Sequence, residues 1–189
     1  IDLIGSNDII VDHLHVPLQS GCDATLKRMN RKYTTEQYLE KINKIRSYLP
    51  NIAFTTDVIV GFPGETDEEF QATYDFIKKV NYSQLHVFPY SPRKNTPAAK
   101  MKDQVNDQVK HQRVERLLEL SKQLNYDFAM KQIDKTLKVL FEKRLGDYLI
   151  GHASDYLQVK VKTNENLIGE IVNIKIEKYS DMLEGSIAS

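Results

Sequence analysis

Short apolar runs and longer amphipathic segments alternate through the first hundred residues of the chain. The apolar runs predict strands at residues 13–18, 53–61 and 83–90. Apolar side chains at helical spacing predict helices at residues 23–30, 34–49 and 66–80. This alternating order predicts parallel strands joined by right-handed crossovers, and therefore an α/β fold.

The period of the pattern changes twice further along the chain. Residues 103–132 predict one long helix with an apolar stripe of Val114, Leu117, Leu118, Leu124 and Phe128. Beyond it, apolar and polar side chains alternate at residues 136–144, 155–163 and 171–179, as in half-buried antiparallel strands. The predicted organisation is an α/β section at 1–102, a connecting helix at 103–132 and a small all-β barrel at 133–189.

Length restricts what the α/β section can be. A complete (β/α)₈ barrel needs about 250 residues, whereas this section contains three predicted strands. It is therefore either an open three-strand sheet or half of a larger barrel. The first strand begins close to the start of the sequence, with no helix before it to cover its edge, and we favour the half barrel. An uncovered strand edge also predicts self-association of the chain.

Composition excludes several classes of function. Of the 189 residues, 26 are basic and 26 are acidic, so no overall field favours nucleic acid or a membrane surface. The sequence has no long apolar run and no secretory signal, which predicts a soluble cytoplasmic protein. The single cysteine, Cys22, excludes an internal disulfide and fits a reducing compartment. Because residue 1 is Ile and not Met, we expect a fragment of a longer protein.

The segment DVIVGFPGETDEEF, residues 57–70, joins a buried strand to a helix. Gly61 and Gly64 flank a proline and predict a turn with relaxed steric limits. Thr66 and Glu69 have the spacing of a capping box, and the neighbouring carboxylates suit the positive end of the helix dipole. Because carboxylates already occupy that helix end, the turn is not predicted to bind phosphate.

Three segments of the chain resemble consecutive blocks of the radical S-adenosylmethionine methylthiotransferases. They are HVPLQSGCDATLKRMNRKYT, TTDVIVGFPGETDEEF and HVFPYSPRKNTPAAKM. The last part of the chain, from about residue 133, resembles the TRAM domain, an OB-like β-barrel that follows the radical core in this family. The resemblance implies the carboxyl-terminal half of a radical core barrel followed by a TRAM domain.

Within the family, the segments look closest to the branch that modifies N6-threonylcarbamoyladenosine next to the anticodon of tRNA. The branches that modify isopentenyladenosine in tRNA or a ribosomal protein are the alternatives inside the family. A non-catalytic RNA-binding module is the alternative outside it. The expected partner is a tRNA anticodon stem-loop.

The resemblance implies transfer of a methylthio group to C2 of the modified adenine. The family uses S-adenosylmethionine and two [4Fe–4S] clusters, whose cysteines lie in the amino-terminal half of the enzyme. A cluster takes several thiolates, and this sequence contains only Cys22. We therefore expect no catalytic or metal-binding residue in this chain, and no activity of the chain by itself.

The resemblance also implies a set of cofactor contacts at the carboxyl ends of the predicted strands. The predicted contacts are Gln19, Ser20, Arg31, Asp57, Ile59 and Gly61. Arg31 would pair with the cofactor carboxylate. Residues 57–61 match the adenine-binding G-x-I-x-G pattern in part, because Asp57 stands in place of the first glycine. The alternative for the polar residues after the first strand is an ordinary turn with Asp23 as the helix cap.

Two local basic clusters and one face of the β-barrel are candidate RNA surfaces. The predicted RNA-binding residues are Lys27, Arg28, Arg93, Lys94, Lys160 and Lys162. Tyr148 and Tyr156 are candidate stacking platforms for bases. Residues 133–189 contain eight basic and nine acidic side chains, so the barrel's charge does not itself support RNA binding. The histidines at 13 and 15 lie on one face of a strand, where buried barrel positions are favoured over metal ligation.

Overall fold

A computed structural model describes residues 10–188. Strands and helices alternate in the predicted order in the first part of the chain, and a run of strands follows. The first part contains β1 (His13–His15), α1 (Asp23–Arg28), α2 (Thr35–Tyr48), β2 (Ala53–Val60), α3 (Asp67–Val80), β3 (Gln84–Pro89), a 3₁₀ turn (Ala98–Lys100) and α4 (Asp107–Met130). The second part contains β4 (Thr136–Leu145), β5 (Tyr148–Ala153), β6 (Gln158–Lys162), β7 (Ile171–Tyr179) and β8 (Leu183–Ile187). None of the described helices is long and apolar enough to cross a membrane.

The described residues divide into two compact units. The first unit contains Leu14–Pro50 and Phe54–Leu124. The second contains residues 125–188 together with residues 10–13 and 51–53. Helix α4 therefore contributes its first 18 residues, 107–124, to the first unit.

The first unit is built on a three-strand sheet in the order β1-β2-β3. Strands β2 and β3 are parallel, with Thr55 opposite Gln84 and Ile59 opposite Phe88, so the predicted parallel pairing is confirmed. Alternate side chains of β2 point to opposite faces. Val58 and Val60 lie on the face that is fully buried.

Strand β1 is shorter than the predicted strand at residues 13–18. The Val16 N–H still donates to Thr55 O (2.9 Å). The regular ladder then stops, because the Thr56 hydroxyl donates to the Val16 carbonyl (2.7 Å) and accepts from the Leu18 N–H (2.8 Å). Gln19 then adopts a left-handed backbone with φ +68°. It still bridges β2, since its N–H donates to Asp57 O (2.8 Å) and its carbonyl accepts from Ile59 N (2.9 Å). The chain therefore remains fixed to the carboxyl half of β2 without forming a strand there.

Helices α2 and α3 each begin at a capping box, and the one predicted from Thr66 and Glu69 is confirmed. The Thr34 hydroxyl accepts from Gln37 N–H, and the Thr66 hydroxyl accepts from Glu69 N–H; in each case the side chain at the third helical position returns a bond to the cap residue. Tyr38 and Ile42 of α2 and Phe70 and Ile77 of α3 are buried.

Helix α4 confirms the predicted stripe only in part. Leu117 and Leu124 are buried as predicted, whereas Leu118 is 43% exposed. The buried face instead includes the polar residues Lys110, Arg113 and Ser121. These positions have helical spacing with Leu117 and Leu124, so the apolar stripe is completed by polar side chains that hydrophobicity alone does not reveal.

The second unit is a closed barrel with the strand order β4-β5-β6-β8-β7. The predicted small β-barrel is confirmed, although only three of its five strands were predicted. Strand β5 was missed because its residues Ile150 and Gly151 interrupt the alternation, and β8 because it is short and rich in small polar residues. The core of the barrel includes Val139, Phe141, Leu149, Val159, Val161, Ile174, Ile176 and Leu183.

Candidate functional site

One face of the three-strand sheet presents accessible side chains near the carboxyl half of the strands. Asp57 and Ile59 of β2 are half-buried there, beside their β3 partners His86 and Phe88. Phe88 is 50% exposed although it is a large apolar side chain. Ligands of parallel α/β sheets bind at the carboxyl ends of strands. This mixture of apolar and hydrogen-bonding groups suits a flat ligand with a polar substituent.

Two histidines and a carboxylate meet on this face. His15 Nε2 lies 3.4 Å from Asp57 Oδ2, and His15 Nδ1 lies 2.9 Å from the Thr55 hydroxyl. The His86 ring is tilted against His15, with ring centres 5.6 Å apart. A sheet face that packs against a dry core is usually lined by apolar residues. A polar layer here therefore marks the face as one that contacts something other than a dry core.

Gln19 and Ser20 are both buried but are held by different contacts, Gln19 by its backbone and Ser20 by its hydroxyl. Gln19 is only 8% exposed and is fixed to β2 through its backbone. Ser20 is fully buried, and its hydroxyl lies 3.1 Å from the Thr73 hydroxyl of α3 while accepting from Cys22 N–H (3.2 Å). The Ser20 hydroxyl therefore ties the start of α1 to α3. Its predicted role as a cofactor contact stays a prediction.

The turn after β2 is fixed by a buried carboxylate. Glu65 Oε1 accepts from Gly61 N–H (3.0 Å) and from Arg113 Nη1 of α4 (2.6 Å). The Glu65 side chain is 2% exposed and that of Arg113 is 6% exposed. Arg113 Nη2 also donates to Asp67 (2.8 Å), whose side chain is 89% exposed. Burial raises the pKa of the Glu65 carboxyl, while the Gly61 N–H and the Arg113 guanidinium oppose that rise.

Both glycines of the turn are covered by long basic side chains. Gly61 has φ +70°, and a Cβ there would overlap Cγ of Lys110. Gly64 has φ +79°, and a Cβ there would lie 3.3 Å from Nε of Arg28. Lys110 is itself buried and lies over the ring of Tyr90, which follows β3. The turn therefore needs glycine for its backbone and, at Gly61, also for the packing of α4.

The predicted RNA-binding residues of the first unit fall into two groups. Lys27, Arg93 and Lys94 are exposed, and none of them forms an ion pair within residues 10–188. Arg28 instead forms an ion pair with Glu69, with Nη1 3.0 Å from Oε1, and this holds the pKa of the Glu69 carboxyl below its usual value. Arg31, the predicted cofactor contact, is exposed beyond the end of α1.

The predicted lysine face of the barrel carries compensating charges. Lys160 Nζ lies 2.6 Å from Asp181 and 3.0 Å from Glu184, and Lys162 Nζ lies 3.6 Å from Asp147. Both predicted stacking platforms also have partners. The Lys160 ammonium lies 5.8 Å from the Tyr148 ring centre, and the His152 ring stacks on Tyr156 at 4.9 Å.

Metal-binding chemistry has little support in the described residues. Across positions 10–188, no group of three or more His, Cys, Asp or Glu side chains could hold a metal ion. Cys22 is the only cysteine of the sequence and is a free thiol. These residues therefore do not fit an iron–sulfur cluster, which needs several thiolates.

Sequence reasoning missed three side chains that shape this site. Glu65 belongs to the carboxylates near the start of α3, and Lys110 and Arg113 lie outside the apolar stripe predicted for residues 103–132, so none of the three was a predicted site residue. For Lys110 and Arg113 the available signal was their spacing, since positions 110, 113, 117, 121 and 124 form one continuous helical stripe.

Comparison with known proteins supports the resemblance. The model of the radical SAM superfamily matches residues 1–77. Threonylcarbamoyladenosine tRNA methylthiotransferase MtaB of Bacillus subtilis is 47% identical over 183 residues, which is 94% of this chain and 41% of that protein. A tRNA-2-methylthio-N(6)-dimethylallyladenosine synthase of Thermoanaerobacter is 45% identical over 89% of this chain and 36% of its own length. The chain thus spans about two fifths of the curated relatives it matches.

A solved structure supports the fold independently of close sequence identity. Coproporphyrinogen III oxidase (HemN) from Escherichia coli, a radical SAM enzyme, matches with a TM-score of 0.52. The match covers 89% of this chain and 41% of that chain at 16% identity, so it bears on the fold alone.

Proposed function

Because this chain is a relative of the radical S-adenosylmethionine tRNA methylthiotransferases, we propose that it is part of an enzyme that adds a methylthio group to C2 of N6-threonylcarbamoyladenosine beside the tRNA anticodon. The observation that carries this proposal is 47% identity over 94% of the chain to a protein named for that substrate. That similarity extends through both units, so it includes the closed barrel as well as the sheet. We propose that this barrel is a TRAM domain.

The open sheet face is the proposed S-adenosylmethionine site. Ile59 and Gly61 would contact the adenine, and Asp57 would accept a hydrogen bond from a polar group of the cofactor. Gln19 would line the same site from the segment that follows β1, and Arg31 would pair with the cofactor carboxylate. The support is that Asp57 and Ile59 lie half-buried on one accessible face at the carboxyl half of β2.

Cleavage of S-adenosylmethionine by a [4Fe–4S] cluster supplies the radical chemistry of such enzymes. The present residues do not provide the thiolates for a cluster. We propose that the cysteines of two clusters belong to a longer polypeptide and that this chain alone is inactive. The role of the chain is then to hold the cofactor, the RNA or both.

We propose that the first unit contacts tRNA phosphates mainly through Lys27, Arg93 and Lys94. These side chains are exposed and form no ion pair in the described region, whereas Arg28 and Lys160 are paired with carboxylates. An ion-paired cation contributes less to phosphate binding, because the pair must first be separated. The more exposed Lys162 remains a candidate contact from the barrel.

Nucleoside analysis tests the substrate. In a strain that lacks the gene, digested tRNA analysed by liquid chromatography and mass spectrometry is expected to lack the 2-methylthio form of N6-threonylcarbamoyladenosine. Loss of the 2-methylthio form of isopentenyladenosine would instead favour the second candidate, which the 45% identity to a dimethylallyladenosine synthase supports. If neither nucleoside changes, a ribosomal-protein substrate or a non-catalytic RNA-binding role gains support.

Paired charge reversals test the RNA surface. We expect Arg93→Glu with Lys94→Glu to weaken binding of a tRNA anticodon stem-loop and to make the slope of log K against log salt shallower by roughly 1.4, because two phosphate contacts are lost. The matched pair Lys160→Glu and Lys162→Glu is expected to have a smaller effect. A larger effect of the barrel pair, measured by fluorescence anisotropy, would move the proposed RNA surface to the barrel.

A further inference from the structure

The turn that ends β2 at Gly61 depends on a side chain only four residues further along the chain. The Gly61 N–H, which closes the strand, is bound by the Glu65 carboxylate and not by a neighbouring strand. The rest of the turn is fixed by backbone groups, since Gly64 N–H donates to Asp103 O (2.7 Å) and Glu65 N–H donates to Phe62 O (2.9 Å). Glu65 is therefore the only side chain that hydrogen-bonds a backbone N–H between Gly61 and Gly64 in the described structure.

Helix α4 supplies the partner that keeps this carboxylate in place. Arg113 donates from Nη1 to the Glu65 side chain and, at 3.3 Å, to the Glu65 carbonyl. Its guanidinium also lies over the Phe70 ring of α3, 5.4 Å from the ring centre. Three helical positions earlier on α4, Lys110 packs across Gly61. Two adjacent turns of α4 therefore act on the same backbone position.

A buried ion pair is weak evidence for stability, because both charges lose their hydration. An apolar pair of similar size would fill the same space at no desolvation cost. The geometry instead gives the pair a positional task. A charged acceptor holds a backbone donor more strongly than a neutral one, and a guanidinium fixes a carboxylate in direction as well as distance.

Resting on the proposed function, we infer that Glu65 and Arg113 are positioning residues for S-adenosylmethionine: they set the backbone of Gly61, and thereby the surface that Ile59 and Gly61 present to the adenine. Neither side chain needs to contact the cofactor. Their effect passes through the strand end, which is displaced when the carboxylate loses its charge or its partner.

Glu65→Gln and Arg113→Lys test the inference, with Asp67→Asn as the matched control. Glu65→Gln keeps the size of the side chain and removes its charge, and Arg113→Lys keeps the charge and removes the two-pronged donor. Asp67→Asn removes only the exposed partner of Arg113. In this chain without cofactor, amide hydrogen exchange of Gly61 is expected to become at least about tenfold faster in the first two variants. The control is expected to match the parent.

The second measurement is cofactor affinity in the complete enzyme with reconstituted clusters. By calorimetry, Glu65→Gln and Arg113→Lys are expected to bind S-adenosylmethionine about tenfold more weakly than the parent at a temperature where thermal melts show all proteins folded. Unchanged affinity in folded Glu65→Gln would overturn the inference, even if its melting temperature were lower. If Arg113→Lys fails to fold, Glu65→Gln alone decides.

The two arms separate the inference from the proposed function. If the parent enzyme does not bind S-adenosylmethionine, the proposed function fails, whatever the exchange of Gly61 shows. If the parent binds and Gly61 exchange in Glu65→Gln equals that of the parent, the positioning role fails and the proposed function stands.

Discussion

Two features of Gly61 oppose a larger residue at this position. Its backbone is left-handed, and the Lys110 side chain of α4 packs where a Cβ would lie. We expect Gly61→Ala to lower the free energy of unfolding by roughly 2–4 kcal/mol, from left-handed strain and from overlap with Lys110. Gly64→Ala is the control, because its φ is similar but its nearest neighbour is the flexible end of Arg28. Its expected loss is about 1–2 kcal/mol.

Urea unfolding measures both glycine variants. The double variant Gly61→Ala with Lys110→Ala is expected to recover part of the loss, because shortening the lysine removes the overlap. Equal losses for Gly61→Ala and Gly64→Ala would show that α4 does not constrain this position.

Glu184 makes the stability of the second unit depend on pH in the acid range. Hydrogen bonds from Ser180 and Lys160, with a smaller effect of Lys178, lower its pKa to about 2. In the unfolded chain a glutamate titrates near about 4.3. Because the folded pKa is the lower one, this stabilisation is present above about pH 4.3 and is lost as the pH falls through about 2.

Carboxyl-carbon NMR titration checks this response. Lys160→Met is expected to raise the pKa of Glu184 towards its ordinary value, because it removes a charged donor at 3.0 Å. Lys162→Met is the matched control, since Lys162 pairs with Asp147 and not with Glu184. High salt is expected to reduce the shift. A Glu184 pKa that is the same in parent and Lys160→Met would contradict the assignment.

For single residues, contacts between near neighbours in sequence were predictable, and contacts between distant residues were not. The capping box of Thr66 and Glu69 followed from a spacing of three residues and is confirmed. The pair of Glu65 and Arg113 joins residues 48 positions apart, and neither residue type reveals its burial. Glutamate and arginine are usually exposed, so residue type alone places both side chains in solvent.

Among the elements, α4 contributes hydrogen bonding as well as packing to the sheet. The Ser121 hydroxyl accepts from the Leu85 N–H of β3 at 3.0 Å, at a buried position. We expect Ser121→Ala to lower the free energy of unfolding by about 1–3 kcal/mol, because a buried donor loses its partner. Ser47→Ala on the exposed face of α2 is the control, with an expected change within about 0.5 kcal/mol. Chemical denaturation of both variants decides, and equal small changes would contradict the role of Ser121.

The elements themselves were largely predictable, and their ends were less so. Periodicity gave the parallel sheet, the long helix and the all-β character of the last section. It overestimated β1, because the Thr56 hydroxyl replaces the ladder bonds after Val16 and Gln19 adopts a left-handed backbone, and periodicity reveals neither. It missed β5 and β8, whose pairing is decided by closure of the barrel and not by alternation of their own residues.

For the whole molecule, the sheet of the first unit carries the risk of association. Its terminal strands in the described structure are β1 and β3, and Phe88 of β3 is 50% exposed. We expect light scattering to give a mass that rises above 21.8 kDa with concentration in the micromolar range. Phe88→Asp is expected to reduce that rise, whereas Tyr48→Asp on α2 is expected not to. A constant monomer mass would argue against the half barrel.

As far as the structure describes it, the second unit has no unpaired strand at the edge of its sheet, because β8 closes the barrel by pairing with both β6 and β7. That strand consists of residues 183–187 and places Leu183 fully in the core. A nonsense or frameshift mutation that removes the codons from 183 onward would therefore leave two strands unpaired and a core uncovered. Such an allele would still encode the whole first unit, yet it is expected to yield a protein that cellular proteases remove.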